Sequence, residues 1–194
     1  MNDGKDFEGD PATLERLRPL ESAERLAQLP PERLLDRLEP VGADSVLDVG
    51  AGGGYLTFPA ARRTTGTVYA MDADPNIRKV LEYRSIEYGA ANVKVIEGRV
   101  EQIPLPDSSV DKGMASLIFH ILDDPSEGVN ELLRVIKPGG SGLIIEWAKP
   151  RPDGRAGHRI YEEEMLRLLL AAGAENVSRE EWADTYYSLT FRKP

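Results

Sequence analysis

The sequence predicts an α/β fold, a mostly parallel sheet with helices on both faces. Three observations predict it. From Ser45 onward, short apolar runs alternate with longer amphipathic ones, the pattern of strands joined by crossover helices. Glycine crowds the first of these junctions, at positions 50, 52, 53 and 54. At the carboxyl end a single residue separates two extended runs, "AENVSREEWAD" and "YYSLTFRK". That link is too short for a crossover, so the pair forms a hairpin and the last strand is antiparallel. A chain of 194 residues suits one such domain with a full core. Residues 1–30 read as tail and lid helices, and 31–194 as the core.

Residues 1–11 are polar, a mobile tail. From Ala12 to Leu29 the leucine spacing predicts one or two short helices interrupted by Pro19. In "PERLLDRLEP", Pro31 suits a first helical turn and Pro40 a stop. "SVLDV" is then a buried strand and "YLTFPAARR" a helix, with Pro59 kinking it or lying near its first turn. "TVYAMD" is a strand, "PNIRKVLEYRSIEYG" a helix closing at Gly89, and "NVKVIEG" and "VDKGMAS" are strands. "PSEGVNELLRVIKPGG" is a helix with a proline–glycine stop, "GLIIEWA" a strand and "IYEEEMLRLLLAAG" a helix. Trp182, Tyr186 and Tyr187 pack the hairpin.

Composition narrows function. The net charge is −9, from 33 acids against 24 bases. Lys and Arg are not clustered, so no nucleic-acid footprint is expected, and pairs such as Arg62-Arg63 read as solvated helix faces. No apolar run approaches the length of a membrane span, and the start lacks a signal peptide's pattern, so the expected location is the cytoplasm. Without cysteine there are no thiolate metal sites or cysteine nucleophiles. Two histidines and scattered acids make no metal signature; of the two, His158 reads as an ordinary loop residue.

The glycine cluster follows a strand and opens a helix, where free N–H groups meet a ligand. A dinucleotide fingerprint from Gly50 needs glycine at 55, and Tyr55 stands there. A nicotinamide-dependent oxidoreductase is therefore disfavoured. The pattern is D-x-G-x-G-x-G with Asp48 ahead of the turn, a carboxylate that suits an ammonium group. Asp72 ends the next strand, where an acid grips vicinal ribose hydroxyls. A ligand with both a ribose and a positive group is S-adenosylmethionine (SAM).

Five stretches, "VLDVGAGGGYLT", "VYAMDADP", "VIEGRVEQIPLPDSSVD", "LIFHILDD" and "LLRVIKPGGSGLIIE", together resemble the class I SAM-dependent methyltransferases, and among them the short UbiE-like group. The resemblance runs from about Leu34 to Pro194. It implies a Rossmann-like seven-stranded sheet in the order 3-2-1-4-5-7-6 with strand seven antiparallel. It also implies methyl transfer from SAM to a small-molecule acceptor, with S-adenosylhomocysteine (SAH) as product and no metal. Asp48 and Gly50, Ala51, Gly52, Gly53 and Gly54 surround the methionine part, Asp72 the ribose, and Ala73 the adenine. The family usually carries an acid after the glycine of the third strand; here that residue is Arg99, which has no acceptor. Val100 and Glu101 are then expected to serve the adenine, with Arg99 stacking or pairing with Glu101 or Glu97. Ser116 and His120 line the reactive side. His120 reads either as a general base or as a structural hydrogen-bonder. Tyr55 and Trp147 face the acceptor, and Ala148–Arg159 completes the lid. The alternative is a non-catalytic protein of this fold that binds SAM or SAH.

Overall fold

Asp-Pro dipeptides open three of the helices in the computed structural model, which describes residues 10–149 and 159–194. Asp10-Pro11, Asp74-Pro75 and Asp124-Pro125 each place proline in the first turn and the aspartate at the N-cap, its carboxylate accepting a backbone N–H. Proline costs nothing there, because that N–H has no intrahelical partner. The helices are α1 (Pro11–Leu17), α2 (Ala23–Gln28), α3 (Pro31–Leu38), α4 (Thr57–Arg63), α5 (Pro75–Glu87), α6 (Pro125–Val135) and α7 (Glu162–Ala171). A 3-10 turn, Arg18–Glu21, separates α1 from α2 and absorbs Pro19. Pro59 lies in the first turn of α4.

The strands are β1 (Val46–Val49), β2 (Val68–Asp72), β3 (Val93–Glu97), β4 (Val110–Ser116), β5 (Ile136–Trp147), β6 (Glu175–Trp182) and β7 (Tyr186–Arg192). They form one sheet in the order β3-β2-β1-β4-β5-β7-β6. β7 runs antiparallel to both β5 and β6, and the other pairings are parallel. The expected order and hairpin are thus found. At the hairpin tip Ala183 and Asp184 have φ of 49° and 52°, the left-handed turn conformation that matches strand twist.

Both faces of the sheet are covered, so β1 and the Leu143–Ile145 run of β5 are apolar nearly throughout. Their side chains alternate between two cores. Leu47, Val49 and Ile144 pack with α6 and α7, while Val46, Leu143 and Ile145 pack with α3, α4 and Trp182. Period-two geometry sends neighbouring residues to opposite faces.

Two sequence readings are corrected. The helix expected to run to Gly140 ends at Val135, and β5 begins at once with Ile136. Pro138 clashes with a helical turn before it and drives the preceding residue to extended backbone, so the break falls ahead of the proline. Arg62 stands on a solvated face, 65% exposed, but Arg63 does not, at 24%. Both bind Glu32, at 3.0 and 2.7 Å, and Arg63 also binds Asp36 at 2.8 Å, which clamps α3 onto α4. Residues 1–9 of the expected tail, residues 150–158 of the expected lid, and His158 lie outside the described residues. No helix among the described residues is long and apolar enough to cross a membrane.

Candidate functional site

The strand order reverses between β1 and β4, with β2 on one side of β1 and β4–β5 on the other. Open α/β sheets bind ligands at such a switch, beyond the carboxyl ends of the strands. A cavity of about 250 Å³ lies there. From the core it is lined by Asp48, Gly50, Ala51, Gly52, Gly53, Tyr55, Asp72 and Ser116. From the leader come Arg16, Leu17, Leu20, Glu21 and Arg25.

The glycines serve different needs. Gly52 has φ of +54°, and a Cβ there would point into the cavity with nothing nearer than Leu17 at 3.9 Å. Its direction is open toward a ligand. A Cβ on Gly53 would collide with Glu21 and Arg84, and one on Gly54 with the ring of Phe58. Gly54 therefore serves packing, and it is not among the residues that line the cavity.

Two carboxylates of the core face this space. Asp48 is 2% exposed and accepts a 2.6 Å hydrogen bond from the Thr57 hydroxyl at the start of α4. Burial pushes its pKa up to about 7; the nearby Asp72 charge adds to this, and the Thr57 bonds oppose it. Asp72 accepts from the Asp74 N–H at 3.0 Å and the Gly52 N–H at 3.1 Å, so it braces the glycine loop against the entry to α5. Burial raises its pKa as well, and those two N–H groups moderate the effect.

After Ser116 the chain turns sharply. Leu117 has φ of 58°, uncommon and costly for a residue with a side chain. Its N–H is tied to the Ile145 carbonyl at 2.9 Å. Ile118 and Ile121 line the cavity. His120 between them turns the other way: it is 7% exposed, with Nδ1 3.0 Å from Glu146. Glu146, fully buried on β5, also accepts the Phe119 N–H at 2.8 Å. This pair staples the loop after β4 to β5.

The leader is fastened across the opening from two sides. Arg16 binds Asp74 at 2.9 Å. Arg84 on α5 binds Glu21 and donates to the Gly53 carbonyl at 2.6 Å. Tyr55 donates to the Leu29 carbonyl. Sequence reasoning missed Arg16, Glu21 and Arg25 as site residues, because an arginine in a short amphipathic helix reads as solvent-facing. The N-cap of Ser22, which accepts the Arg25 N–H at 3.2 Å, was the available signal that this helix is fixed in place.

A separate, open cleft starts one residue past Asp72. Ala73, Glu97, Gly98, Arg99 and Gln102 line it. Arg99 turns outward, 70% exposed, and binds Glu101 at 3.1 Å. The Val100 side chain is in the core, 4% exposed. Trp147 packs on Tyr186 with ring centroids 4.7 Å apart. No group of three or more acids and histidines among the described residues is arranged to hold a metal.

The methyltransferase-domain family matches residues 47–144. The ubiquinone/menaquinone biosynthesis C-methyltransferase UbiE of Geobacter sulfurreducens is 34% identical over 131 residues, 66% of this chain and 50% of that protein. The chain spans about half the length of the curated UbiE relatives it matches. The uncharacterized methyltransferase YdaC of Bacillus subtilis is 26% identical over 144 residues, 74% of this chain and 78% of that protein. Among solved structures, a SAM-dependent methyltransferase from Aquifex aeolicus superposes with a TM-score of 0.81 at 28% identity, covering 94% of this chain and 97% of that one.

Proposed function

The chain belongs to the class I SAM-dependent methyltransferases, of UbiE-like type, and from that premise we propose that it transfers a methyl group from SAM to a small-molecule acceptor. One observation carries the reading: Asp48, Asp72 and the open face of Gly52 converge on one covered cavity at the β1–β4 switch. That donor set suits a ligand with an ammonium group at one end and ribose hydroxyls beyond it. The cleft past Ala73 continues in the direction an adenine would take.

SAM held here would supply an activated methyl group: the acceptor lone pair would bond to the methyl carbon as the C–S bond breaks in line, its electron pair leaving on the sulfur of SAH. The chain's part is alignment and exclusion of water. Asp48, ionised when an ammonium partners it, anchors the amino acid end. Asp72 holds the ribose with lone pairs left over from its two backbone bonds. Ser116 and the strained turn at Leu117 form the wall facing the acceptor. The leader, pinned by Arg16 and Glu21, keeps this end dry. Holding two reactants in line supplies much of the acceleration in such reactions. The contact of His120 with Glu146 supports the structural reading of this histidine, which fixes the loop after β4. Relatives named for C-methylation in ubiquinone/menaquinone biosynthesis make a phenolic ring carbon one acceptor to try.

The test is SAH release from SAM by the purified chain across phenols, amines and carboxylic acids, with Asp72→Ala as control. Acceptor-dependent release, lost in the control, is expected. Tight SAM binding with no release across the panel would favour the non-catalytic reading. No binding of SAM or SAH would overturn both.

A further inference from the structure

Arg25 on α2 is a buried cation without a counter-charge. It is 7% exposed. Its guanidinium lies over the Tyr55 ring, 4.6 Å from the centroid. Its Nη2 is 3.4 Å from the Ser116 hydroxyl, a long contact to a neutral group. Its Nε is buried with no hydrogen-bond partner. Among the described residues no carboxylate forms an ion pair with it. Removing a guanidinium from water without a partner is unfavourable. A buried guanidinium with an unsatisfied N–H marks a place where a ligand supplies the missing acceptor.

Its position says what arrives there. A second cavity, bounded by Pro19, Gln28, Thr185 and Tyr186, lies against the same side chain. Arg25 is the one residue shared by the walls of this cavity and of the cavity at the glycine loop. It stands where the cofactor space meets the space beneath the hairpin. Tyr186 in the second cavity packs on Trp147, whose indole Nε1 is also buried and unpartnered. The second cavity is thus aromatic on one side and polar on the other, where Ser22, Gln28 and Thr185 line it. Glu24 lines it too, its carboxylate accepting from Gln28. That neighbour disfavours a multiply charged anion such as a phosphate.

We propose that Arg25 receives a monocarboxylate, that of the methyl acceptor, which enters through the second cavity with its reacting atom directed toward Ser116. Nε–H and an adjacent Nη–H form the planar fork that matches a carboxylate. This inference rests on the methyltransferase reading. The methionine part of SAM carries a carboxylate as well, so the experiment separates the two sources.

Titration calorimetry on the full chain compares the wild type with Arg25→Met and Arg25→Lys, folding checked by circular dichroism. Benzoate and neutral benzyl alcohol are titrated into the SAH complex; SAM and decarboxylated SAM are titrated into the free protein. Benzoate but not benzyl alcohol is expected to bind the wild-type complex. Arg25→Met should weaken benzoate by about tenfold or more, the scale of a charge-assisted pair, while SAH affinity stays within about twofold. Arg25→Lys, which keeps the charge and loses the fork, should fall between. If instead Arg25→Met weakens SAM by about tenfold and leaves decarboxylated SAM unchanged, the carboxylate at Arg25 is the cofactor's, and the acceptor assignment is overturned while the arginine's role stands. Benzoate and SAM affinities both unmoved in Arg25→Met, or in Arg25→Lys should the Met variant not fold, overturn the proposal. So does a wild-type SAH complex that takes up no benzoate, when SAM affinity is also insensitive to the substitution. A wild type that binds neither SAM nor SAH overturns the methyltransferase reading instead.

Discussion

The two ends of the groove are built on opposite terms. At the glycine loop Asp48 is buried, the leader closes the top, and ion pairs from Arg16 and Glu21 tie it to the N-cap and body of α5. Past Ala73 the walls open: the side chains of Glu97 and Arg99 are 75% and 70% exposed. The contrast follows from what each end does in the proposed reaction. Methyl transfer needs a dry, rigid site, where charges act strongly and misplacement is costly. Adenine recognition needs only a surface to lie on and a few hydrogen bonds. On that proposal, a departure such as Arg99 costs little at the open end.

Substitutions that fill the closed end should hurt most. Gly52→Val places a branched side chain in ligand space, so SAH affinity should fall by about 3 kcal/mol, while the positive φ of +54° separately costs folding stability about 1–3 kcal/mol. The check is calorimetric titration of a variant shown to be folded. Retained affinity would mean that no ligand approaches this loop.

Asp72→Ala acts at the boundary between the two ends. It removes the brace on Gly52 and the proposed ribose contact, and should weaken SAH by about 1.5–3 kcal/mol, the range for hydrogen bonds to a charged group. 5′-Methylthioadenosine, which keeps the ribose and lacks the amino acid tail, should lose a similar amount. If only SAH loses affinity, Asp72 serves the tail rather than the ribose.

The closed end should also be pH-sensitive. Burial raises Asp48 from 3.8 to about 7 in the ligand-free fold, so it is protonated below that pH. A ligand ammonium favours the ionised form, so binding expels a proton. SAH affinity should then rise as pH goes from about 5 to about 7, by at most about tenfold per unit, and level off above. Calorimetry in two buffers of different ionisation enthalpy reads the proton release, and Asp48→Asn should abolish it. The same shift makes the ligand-free fold lose stability as pH rises from 3.8 toward about 7.

The smallest effect belongs to the open end. Arg99→Asp supplies an acceptor and removes an exposed pair with Glu101, a kind of contact worth little. SAM affinity should stay equal or tighten by up to about 1 kcal/mol. A loss above about tenfold would show that this end is as demanding as the other.

The parallel α/β layout, the antiparallel last strand and the acids and glycines of the cavity's core lining were legible in the residue pattern, while the strand order followed from the family resemblance. Strand alternation, the glycine turn and the acids at 48 and 72 are local signals, carried by neighbours in the chain. The end of α6 was misjudged because a proline acts on the turn before it. The clamp from Arg62 and Arg63 was missed because its partners lie about thirty residues away, on α3.

The sequence by itself determined which residues turn the chain and which acids stand at the strand ends, because backbone conformation and hydrophobic period are properties of short stretches. Only the tertiary structure decided that Gly54 packs on Phe58 while Gly52 opens to the cavity, that His120 faces Glu146, and that Arg25 is buried between two cavities. Those outcomes depend on which distant elements meet, and burial and charge pairing exist only after they do.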